Sequence, residues 1–279
     1  MKYYLFAKFF RHLDAAALMD HCAQLGVDGP TALIREGYWV RPDHLSTDLP
    51  AFVRSAQDRG LEVKYADTSF EPENMAAYDE DIRVLRDCGI TQFRLWYLFK
   101  KDAGHPRGMQ DRMRSCVEKA CEMAAKANIQ AIVQIHGMMY PHNASTAYPL
   151  VKGLDPKHIG IKIDLGNNYS QEGYEFPEYQ IPLLGEYAAA IGVKDGAFLR
   201  SSDPEAPDKG WRGHFLPAYE GQADYGKIFR LLCAEGFSGP AILMPFYDEN
   251  DFDILFAKAK KEINYLKEKE REAWLSGTP

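Results

Sequence analysis

The sequence predicts a single (β/α)8 TIM barrel, an α/β fold in which a parallel eight-stranded sheet is surrounded by outer helices. Short β-branched or aromatic runs alternate with longer segments of helical period, and this alternation recurs eight times along the 279 residues. The repeated order of helix, glycine and strand is what parallel strands with crossover helices require. Because eight such units in about 250 residues match one TIM barrel, we predict one domain over residues 1–279.

Each strand is predicted from a short run between turn residues. The eight runs are KYYLFAKF (2–9), VDGPTALI (27–34), LEVKYAD (61–67), TQFRLWY (91–97), IQAIVQIH (129–136), HIGIKID (158–164), AAIGVKD (189–195) and PAILMPF (240–246). Helices that start at a capping-type residue and end at glycine are predicted over 14–26, 48–60, 74–89 and 224–236. An open doubly wound sheet is the alternative, but its glycine-rich phosphate-binding turn is missing.

Two segments depart from this alternation. Residues 197–223 are proline-rich and aromatic and follow the seventh strand, so we predict a long loop over the active face of the barrel. Residues 257–275 are highly charged with a helical period. They predict a solvated outer helix that closes the barrel rather than a helix that binds a partner.

Composition excludes several classes of function. Acidic residues outnumber basic ones 40 to 33 and the net charge is −7, so a nucleic-acid partner is not expected. Five scattered cysteines predict reduced, packed thiols. No signal sequence, membrane span or nucleotide-binding motif is recognised, so we expect a cytoplasmic protein without a nucleotide cofactor or membrane contact. A homo-oligomer stays open.

Polar residues cluster at the predicted carboxyl ends of the strands, where barrel enzymes build their active sites. Period-two alternation puts Gln134 and His136 on one strand face, so both are predicted to point into the barrel mouth. Several such groups together favour a site over isolated polar core residues. The candidates are Lys8, His12, Arg35, Asp67, Arg94, Trp96, Gln134, His136, Asp164, Asn167, Lys194 and Asp195.

The long segment after the seventh strand adds candidates for carbohydrate binding. Trp211, Arg212 and His214 lie together in KGWRGHF, and Glu220 lies in YEGQADY. Aromatic faces stack on sugar rings, and arginine binds hydroxyl, phosphate or carboxylate groups. We predict that these four residues contact substrate, although Glu220 is also suited to pinning the loop.

The order of LGVDGP, GLDPKHIGIKIDLGNN, IGVKDGAF and LPAYEGQADYGKIFRLLCAEGFSGPAIL resembles the xylose isomerase-like TIM barrels, the sugar phosphate isomerase/epimerase superfamily. The resemblance spans essentially the whole chain. It implies a carbohydrate substrate and a divalent metal, usually manganese, magnesium or cobalt, held by a glutamate, an aspartate, a histidine and a second glutamate from strands five to eight. The two glutamates of that family move protons next to a carbonyl.

Matched residue by residue, the resemblance keeps one metal ligand, Asp164. The other family ligands fall on Gln134, Gly192 and Met244, and a further family histidine falls on Asn167. Neither glycine nor a thioether suits a hard divalent cation, and an amide is not a base near neutral pH. The usual metal-assisted mechanism therefore cannot run unaltered.

Three hypotheses remain. In the first, a sugar or keto-sugar isomerase or epimerase uses Asp164, His136 and Lys194 for acid–base chemistry, and the same set would serve a metal-free lyase. In the second, an unusual metal site is built from Asp164, His136 and Gln134, with Asn167 as a further ligand and Asp195 or His214 to complete it. In the third, the barrel is catalytically silent and binds carbohydrate or serves as a subunit of an assembly.

Overall fold

The computed structural model describes residues 1–99, 104–170, 174–203, 205, 210–247 and 249–275, without the side chains of residues 99, 106 and 107. The strands are β1 (Tyr3–Leu5), β2 (Gly29–Pro30), β3 (Ala32–Leu33), β4 (Tyr65–Asp67), β5 (Gln92–Arg94), β6 (Leu98–Phe99), β7 (Gln130–Gln134), β8 (Met139–Tyr140), β9 (Ile159–Asp164), β10 (Ala188–Val193), β11 (Asp195–Arg200), β12 (Trp211–Leu216) and β13 (Ala241–Leu243). The α-helices are α1 (Ala15–Leu25), α2 (Leu45–Gln57), α3 (Asp79–Asp87), α4 (Pro106–Ala127), α5 (Ala144–Val151), α6 (Leu165–Ser170), α7 (Pro177–Leu184), α8 (Tyr225–Ala234) and α9 (Phe252–Leu275).

The main sheet closes into a barrel. Its nine parallel segments run in the order β2, β1, β13, β10, β9, β7, β5, β4, β3. The two end segments, β2 and β3, are consecutive pieces of one stretch of chain divided at Thr31. The sheet therefore has eight strand positions, and the predicted TIM barrel is confirmed.

Every strand of the barrel begins inside a predicted run or one residue before it, but most end earlier. For example, pairing in the fifth strand ends at Gln134 and pairing in the fourth at Arg94, although the predicted runs continue to His136 and Tyr97. Leu95 and Ile135 each still donate one backbone hydrogen bond to the neighbouring strand, and the residues after them leave the sheet at its carboxyl edge. They are consequently free of ladder geometry at the point where barrels bind their substrates.

Two helices begin at their predicted caps, whereas α2 begins at Leu45, three residues before the predicted start at Asp48, and has no side-chain cap. The Asp14 side chain accepts a hydrogen bond from the Ala17 amide at 2.8 Å, and Gly26 ends α1 in the left-handed conformation. The Asp224 side chain caps α8 in the same way. The predicted helix over 74–89 is shorter than expected, because 72–78 forms a 3-10 helix with Asn74 outside helical geometry. The charged C-terminal helix is present as α9.

The prediction of a loop over 197–223 is wrong for part of that segment. Strands β11 and β12 pair antiparallel from Asp195 with Leu216 to Arg200 with Trp211, and form a hairpin beside the barrel mouth. Residues 204 and 206–209 at its tip lie outside the described residues. Asp195, the first residue of the hairpin, holds the segment that follows it. Its carboxylate accepts hydrogen bonds from the amides of Gly196, Gln222 and Ala223.

The helices in the described part of the chain include none that is both long and apolar enough to cross a membrane. The outer helices instead bury one face against the sheet. In α9, for example, Leu255, Ile263 and Leu266 are buried and Lys261 is exposed. The Glu262 carboxylate is buried as well and accepts hydrogen bonds from the Ala218 amide and the Tyr247 hydroxyl.

Candidate active site

A cavity of about 220 Å³ opens at the carboxyl ends of the barrel strands. Eight of the strand-end candidates line it, Arg35 and Asp67 among them. The whole lining is Phe6, Lys8, Arg35, Asp67, Arg94, Trp96, Tyr97, Gln134, His136, Met139, Lys194, Met244 and Phe246. Four lining residues were not predicted, although three of them lie at or just beyond predicted strand ends: Phe6, Tyr97, Met139 and Phe246.

His136 lines the cavity just beyond a barrel strand. It follows β7, and its Nδ1 lies 2.6 Å from the Gly137 carbonyl oxygen, so Nδ1 carries the proton that this acceptor needs. Nε2 is then the ring nitrogen with a free lone pair. Burial lowers the pKa of the imidazole, and the Lys194 and Arg94 charges act in the same direction, so the ring is neutral at pH 7.

Gln134 joins two parts of the site. Its Nε2 donates to Asp164 Oδ2 at 2.6 Å, and its Oε1 accepts from the Tyr97 hydroxyl at 3.2 Å. The Tyr97 ring packs edge-on against His136, with 5.0 Å between ring centres. The amide therefore fixes the Asp164 carboxylate and, through Tyr97, supports the imidazole.

Lys194 presents a buried ammonium group to the cavity. Its Nζ donates to Asn167 Oδ1 at 2.8 Å and lies 3.4 Å from Asp164 Oδ1, over the rings of Phe215 and Phe246. Gly166 leaves room for it, because a Cβ there would lie 2.4 Å from Lys194 Cγ. Burial lowers the pKa of Lys194, while Asp164 opposes that shift and favours the ammonium form.

Asp164 lies behind the cavity lining rather than in it. It is buried and accepts from Gln134, from the Asn167 amide at 3.1 Å and from Lys194. Its predicted catalytic role therefore becomes that of a positioning residue for Lys194 and Gln134.

Arg94 lines the cavity, and three of its N–H groups donate to the scaffold. Its Nε donates to Asp67 Oδ1 at 3.0 Å, and its two terminal nitrogens donate to the carbonyl oxygens of Leu95 and Thr68. Both partners of the ion pair are 1% exposed. The arrangement holds the ends of β4 and β5 together, which is a structural role.

A second buried lysine lies in the barrel interior beneath this site. Lys162 precedes Asp164 by two residues on β9 and shares its face, yet its Nζ has no hydrogen-bond partner among the described residues. It lies 5.5 Å from the Tyr65 ring centre and 6.0 Å from that of Phe6. Burial lowers the pKa of Lys162 to about 8, against the attraction of Asp67 and Asp164.

The positions that match the family's metal ligands lie close together, but the groups on them do not suit a divalent metal. A Cβ on Gly192 would lie 3.0 Å from Met244 Sδ and 3.4 Å from Asp164 Cγ. What converges there is a thioether, a glycine and a carboxylate whose oxygens already accept from Gln134 and Lys194. The described residues contain no group of three His, Cys, Asp or Glu side chains able to hold a metal ion. In the predicted ligand set of Asp164, His136 and Gln134, the Gln134 amide donates to Asp164 and accepts from Tyr97, so these two side chains are engaged with other groups, and the metal site stays a prediction.

The four residues predicted in the segment after strand seven are not part of the described cavity lining. Trp211 and Arg212 are exposed on β12, where Arg212 Nε lies 3.2 Å from His214 Nε2, and Glu220 is exposed in the following turn. The hairpin reaches the site instead through Phe215, whose ring centre is 4.3 Å from Lys194 Nζ. Asp195 is committed to backbone amides and is not available as a ligand.

A family model described as a xylose isomerase-like TIM barrel matches residues 19–269. The chain belongs to the xylose isomerase-like TIM barrel family. The resemblance drawn from the sequence is confirmed. A comparison with curated proteins gives no match.

Solved structures similar to this xylose isomerase-like barrel share its fold at low identity. A D-psicose 3-epimerase from Clostridium cellulolyticum H10 superposes with a TM-score of 0.72 and 14% identity, over 97% of this chain and 99% of its own. For 3-keto-D-glucoside 4-epimerase from E. coli the TM-score is 0.69 and the identity 13%, over 96% and 99%. A probable 3-DHS dehydratase from Bacillus anthracis gives 0.69 and 17%, over 93% and 98%.

Proposed function

We propose that this xylose isomerase-like barrel is an isomerase or epimerase that acts on a sugar or keto-sugar by proton transfer next to a carbonyl, without the family's metal. The observation that carries the proposal is His136. A neutral imidazole with Nδ1 held by a carbonyl and Nε2 left as the acceptor, in a cavity at the barrel mouth, is a general base near neutral pH.

Lys194 supplies the electrophile of this mechanism. Removing a proton beside a carbonyl moves negative charge onto the carbonyl oxygen, and a fixed ammonium group in a buried site stabilises that charge. Asn167 and Asp164 hold Lys194 Nζ on the side away from the cavity and favour its charged form. In this role Lys194 takes the place of a Lewis acid.

The number of bases favours isomerisation over epimerisation. One imidazole can take a proton from one carbon and return it to the neighbouring carbon on the same face of an enediol. Lys194 Nζ would give a proton to the carbonyl oxygen and recover one from the adjacent hydroxyl, which becomes the new carbonyl. Inversion of a stereocentre instead needs a proton donor on the opposite face. Among the described lining residues His136 is the one neutral base, which is why isomerisation comes first.

A metal-free lyase is the second candidate. β-Elimination begins with the same proton removal and differs in the later loss of a hydroxyl group. The similarity in fold to a probable 3-DHS dehydratase supports keeping it. Both candidates place His136 and Lys194 in the same roles.

Hydrogen exchange in D2O tests the proposal whatever the product is. Keto-sugars and keto-sugar acids are incubated with the protein, and loss of the proton next to the carbonyl is followed by NMR. We expect exchange with the wild type and a loss of about 10²- to 10⁴-fold in His136→Gln, the range typical of a general base.

His44→Gln is the matched control, because His44 is an exposed histidine on the 3-10 helix Pro42–His44 at the outside of the barrel. It should exchange at the wild-type rate. Exchange that survives in His136→Gln would contradict the assignment of the base. Sugar binding without exchange for any compound in the panel would favour the catalytically silent barrel.

A further inference from the structure

The described cavity lining has an excess of positive charge. It contains four cationic side chains, Lys8, Arg35, Arg94 and Lys194, but one carboxylate, Asp67. Arg94 is paired with Asp67, and Lys194 is paired with Asp164 behind the lining. That leaves Lys8 and Arg35, which make no ion pair with any carboxylate among the described residues.

Arg35 is held in place without being neutralised. Its guanidinium lies 4.9 Å from the centre of the Trp96 ring, and its Nε is buried with no acceptor in the described part of the chain. An aromatic face orients a guanidinium but leaves its in-plane donors unused. Burial and the neighbouring Arg94 charge lower the pKa of Arg35, against the attraction of Asp67.

Lys8 follows the strand next to the one that Arg35 follows. It follows β1, which pairs with β2 in the closed sheet, and its Nζ lies 5.2 Å from the Phe246 ring centre. Lys194 Nζ lies 4.5 Å from the same ring centre. Phe246 therefore links the unpaired Lys8 to the ammonium group that faces the reacting carbonyl. Burial, Arg35 and Arg11 all lower the pKa of Lys8.

We infer that the substrate is an anion, a sugar acid or a sugar phosphate, whose carboxylate or phosphate group is bound by Lys8 and Arg35 while its carbonyl lies at Lys194 and His136. The inference deepens the proposed function and rests on it for the position of the carbonyl. Two unpaired cations in a partly buried cavity bind an anion with charge-assisted hydrogen bonds, which are stronger than neutral ones. The volume of about 220 Å³ suits one small open-chain sugar rather than an oligosaccharide.

The test measures binding of three open-chain probes. They cannot react, because none has a ketone or aldehyde group. The probes are sorbitol, which is neutral, D-gluconate, which carries a carboxylate, and sorbitol 6-phosphate. Isothermal calorimetry should show at least one anion bound about tenfold or more tightly than sorbitol. The affinity for the anion should fall as NaCl is added. Whichever anion binds identifies the group.

Substitutions locate the binding group. Arg35→Met and Lys8→Met should each weaken binding of the anion by about tenfold or more and leave sorbitol unchanged. Lys157→Met is the control, because Lys157 is an exposed lysine outside the described cavity lining. Equal affinity for charged and neutral probes, binding of neither anion, or anion binding that survives both substitutions would overturn the inference.

The inference and the proposed function can fail separately. His136→Gln should lose exchange but keep the affinity for the anion. If anions bind through Arg35 and no keto-sugar acid or phosphate exchanges, the anion site stands and the proposed reaction fails. If neutral keto-sugars exchange as fast as charged ones, the reaction stands and the anion site fails.

Discussion

The interior of the barrel holds buried charge on two sides that differ in how completely the charge is paired. On the β4 and β5 side, Arg94 donates to the Asp67 carboxylate and to two backbone carbonyl oxygens. On the β9 and β10 side, Lys194 shares Asp164 and Asn167 and keeps a face toward the cavity, while Lys162 has no hydrogen-bond partner within the described ranges. The Arg94 cation on the first side is therefore paired, although Asp67 Oδ2 accepts no hydrogen bond from the described residues, whereas the Lys162 ammonium on the second side is unpaired.

The difference separates structural charge from charge that is available for chemistry. A buried cation that is held by an ion pair and by backbone carbonyl oxygens stabilises one geometry of the scaffold. A buried ammonium without a partner lowers the stability of the fold, and such groups occur where function needs them. By this criterion Arg94 is scaffold, although it lines the cavity, and the two lysines belong to the site.

The largest expected effect on stability is that of Arg94→Met. The substitution leaves Asp67 buried without its cation, so the free energy of unfolding should fall by about 3–5 kcal/mol. Urea denaturation followed by circular dichroism measures the change. Arg41→Met, which breaks the exposed pair with Asp48, is the control and should cost far less. Equal losses in the two variants would mean that the buried pair is not the scaffold described above.

Lys162→Met should raise the free energy of unfolding rather than lower it. Removing an unpaired buried ammonium should stabilise the barrel at pH 7 by up to about 3 kcal/mol, which corresponds to a pKa lowered from 10.5 to about 8. Because the proposed reaction uses positive charge near Asp164, we also expect exchange in D2O to slow. A variant that is less stable than the wild type would indicate that Lys162 has a partner.

The pH dependence of stability gives an independent measure of Lys162. Below pH 8 the lysine is protonated in both the folded and the unfolded chain, so the cost of burying its charge is fully present. Between pH 8 and 10.5 the unfolded chain binds more protons than the folded chain, so the free energy of unfolding rises with pH. The difference between Lys162→Met and the wild type should therefore shrink across this range, as measured by urea denaturation at each pH. A constant difference would contradict the lowered pKa.

Lys194→Met should change stability least and activity most. Asp164 keeps its hydrogen bonds from Gln134 and the Asn167 amide, so the loss in unfolding free energy should be about 1–2 kcal/mol. Loss of the oxyanion partner should slow exchange by about 10²-fold or more. Both quantities are measured on the same preparation of Lys194→Met. If the lysine were only structural, the variant would be less stable but would still exchange at the wild-type rate while folded.

The barrel was predictable because its signals are local. Period-two runs, capping residues such as Asp14 and terminal glycines such as Gly26 each act within a few residues, and all eight strand positions follow from them. The hairpin of β11 and β12 was not predicted, since its pairing joins Asp195 with Leu216 across an aromatic and proline-rich segment without strand alternation.

The site was predictable as a set of positions but not as a set of roles. Alternation placed Gln134 and His136 at the mouth, yet the commitment of Arg94 depends on Asp67, which is 27 residues away in the chain. Lys162 could have been found, because HIGIKID puts it on the same face as Asp164. The pairing of its ammonium, in contrast, depends on contacts between strands, which no single segment encodes.

The central claim is that His136 and Lys194 carry out proton transfer without a divalent metal. The most direct test measures exchange in D2O on one reactive keto-sugar acid or phosphate, first after dialysis against EDTA and then after addition of manganese, magnesium or cobalt. The account predicts the same rate in every sample, and loss of that rate in His136→Gln. Exchange that is abolished by chelation and restored by one of these metals would contradict it.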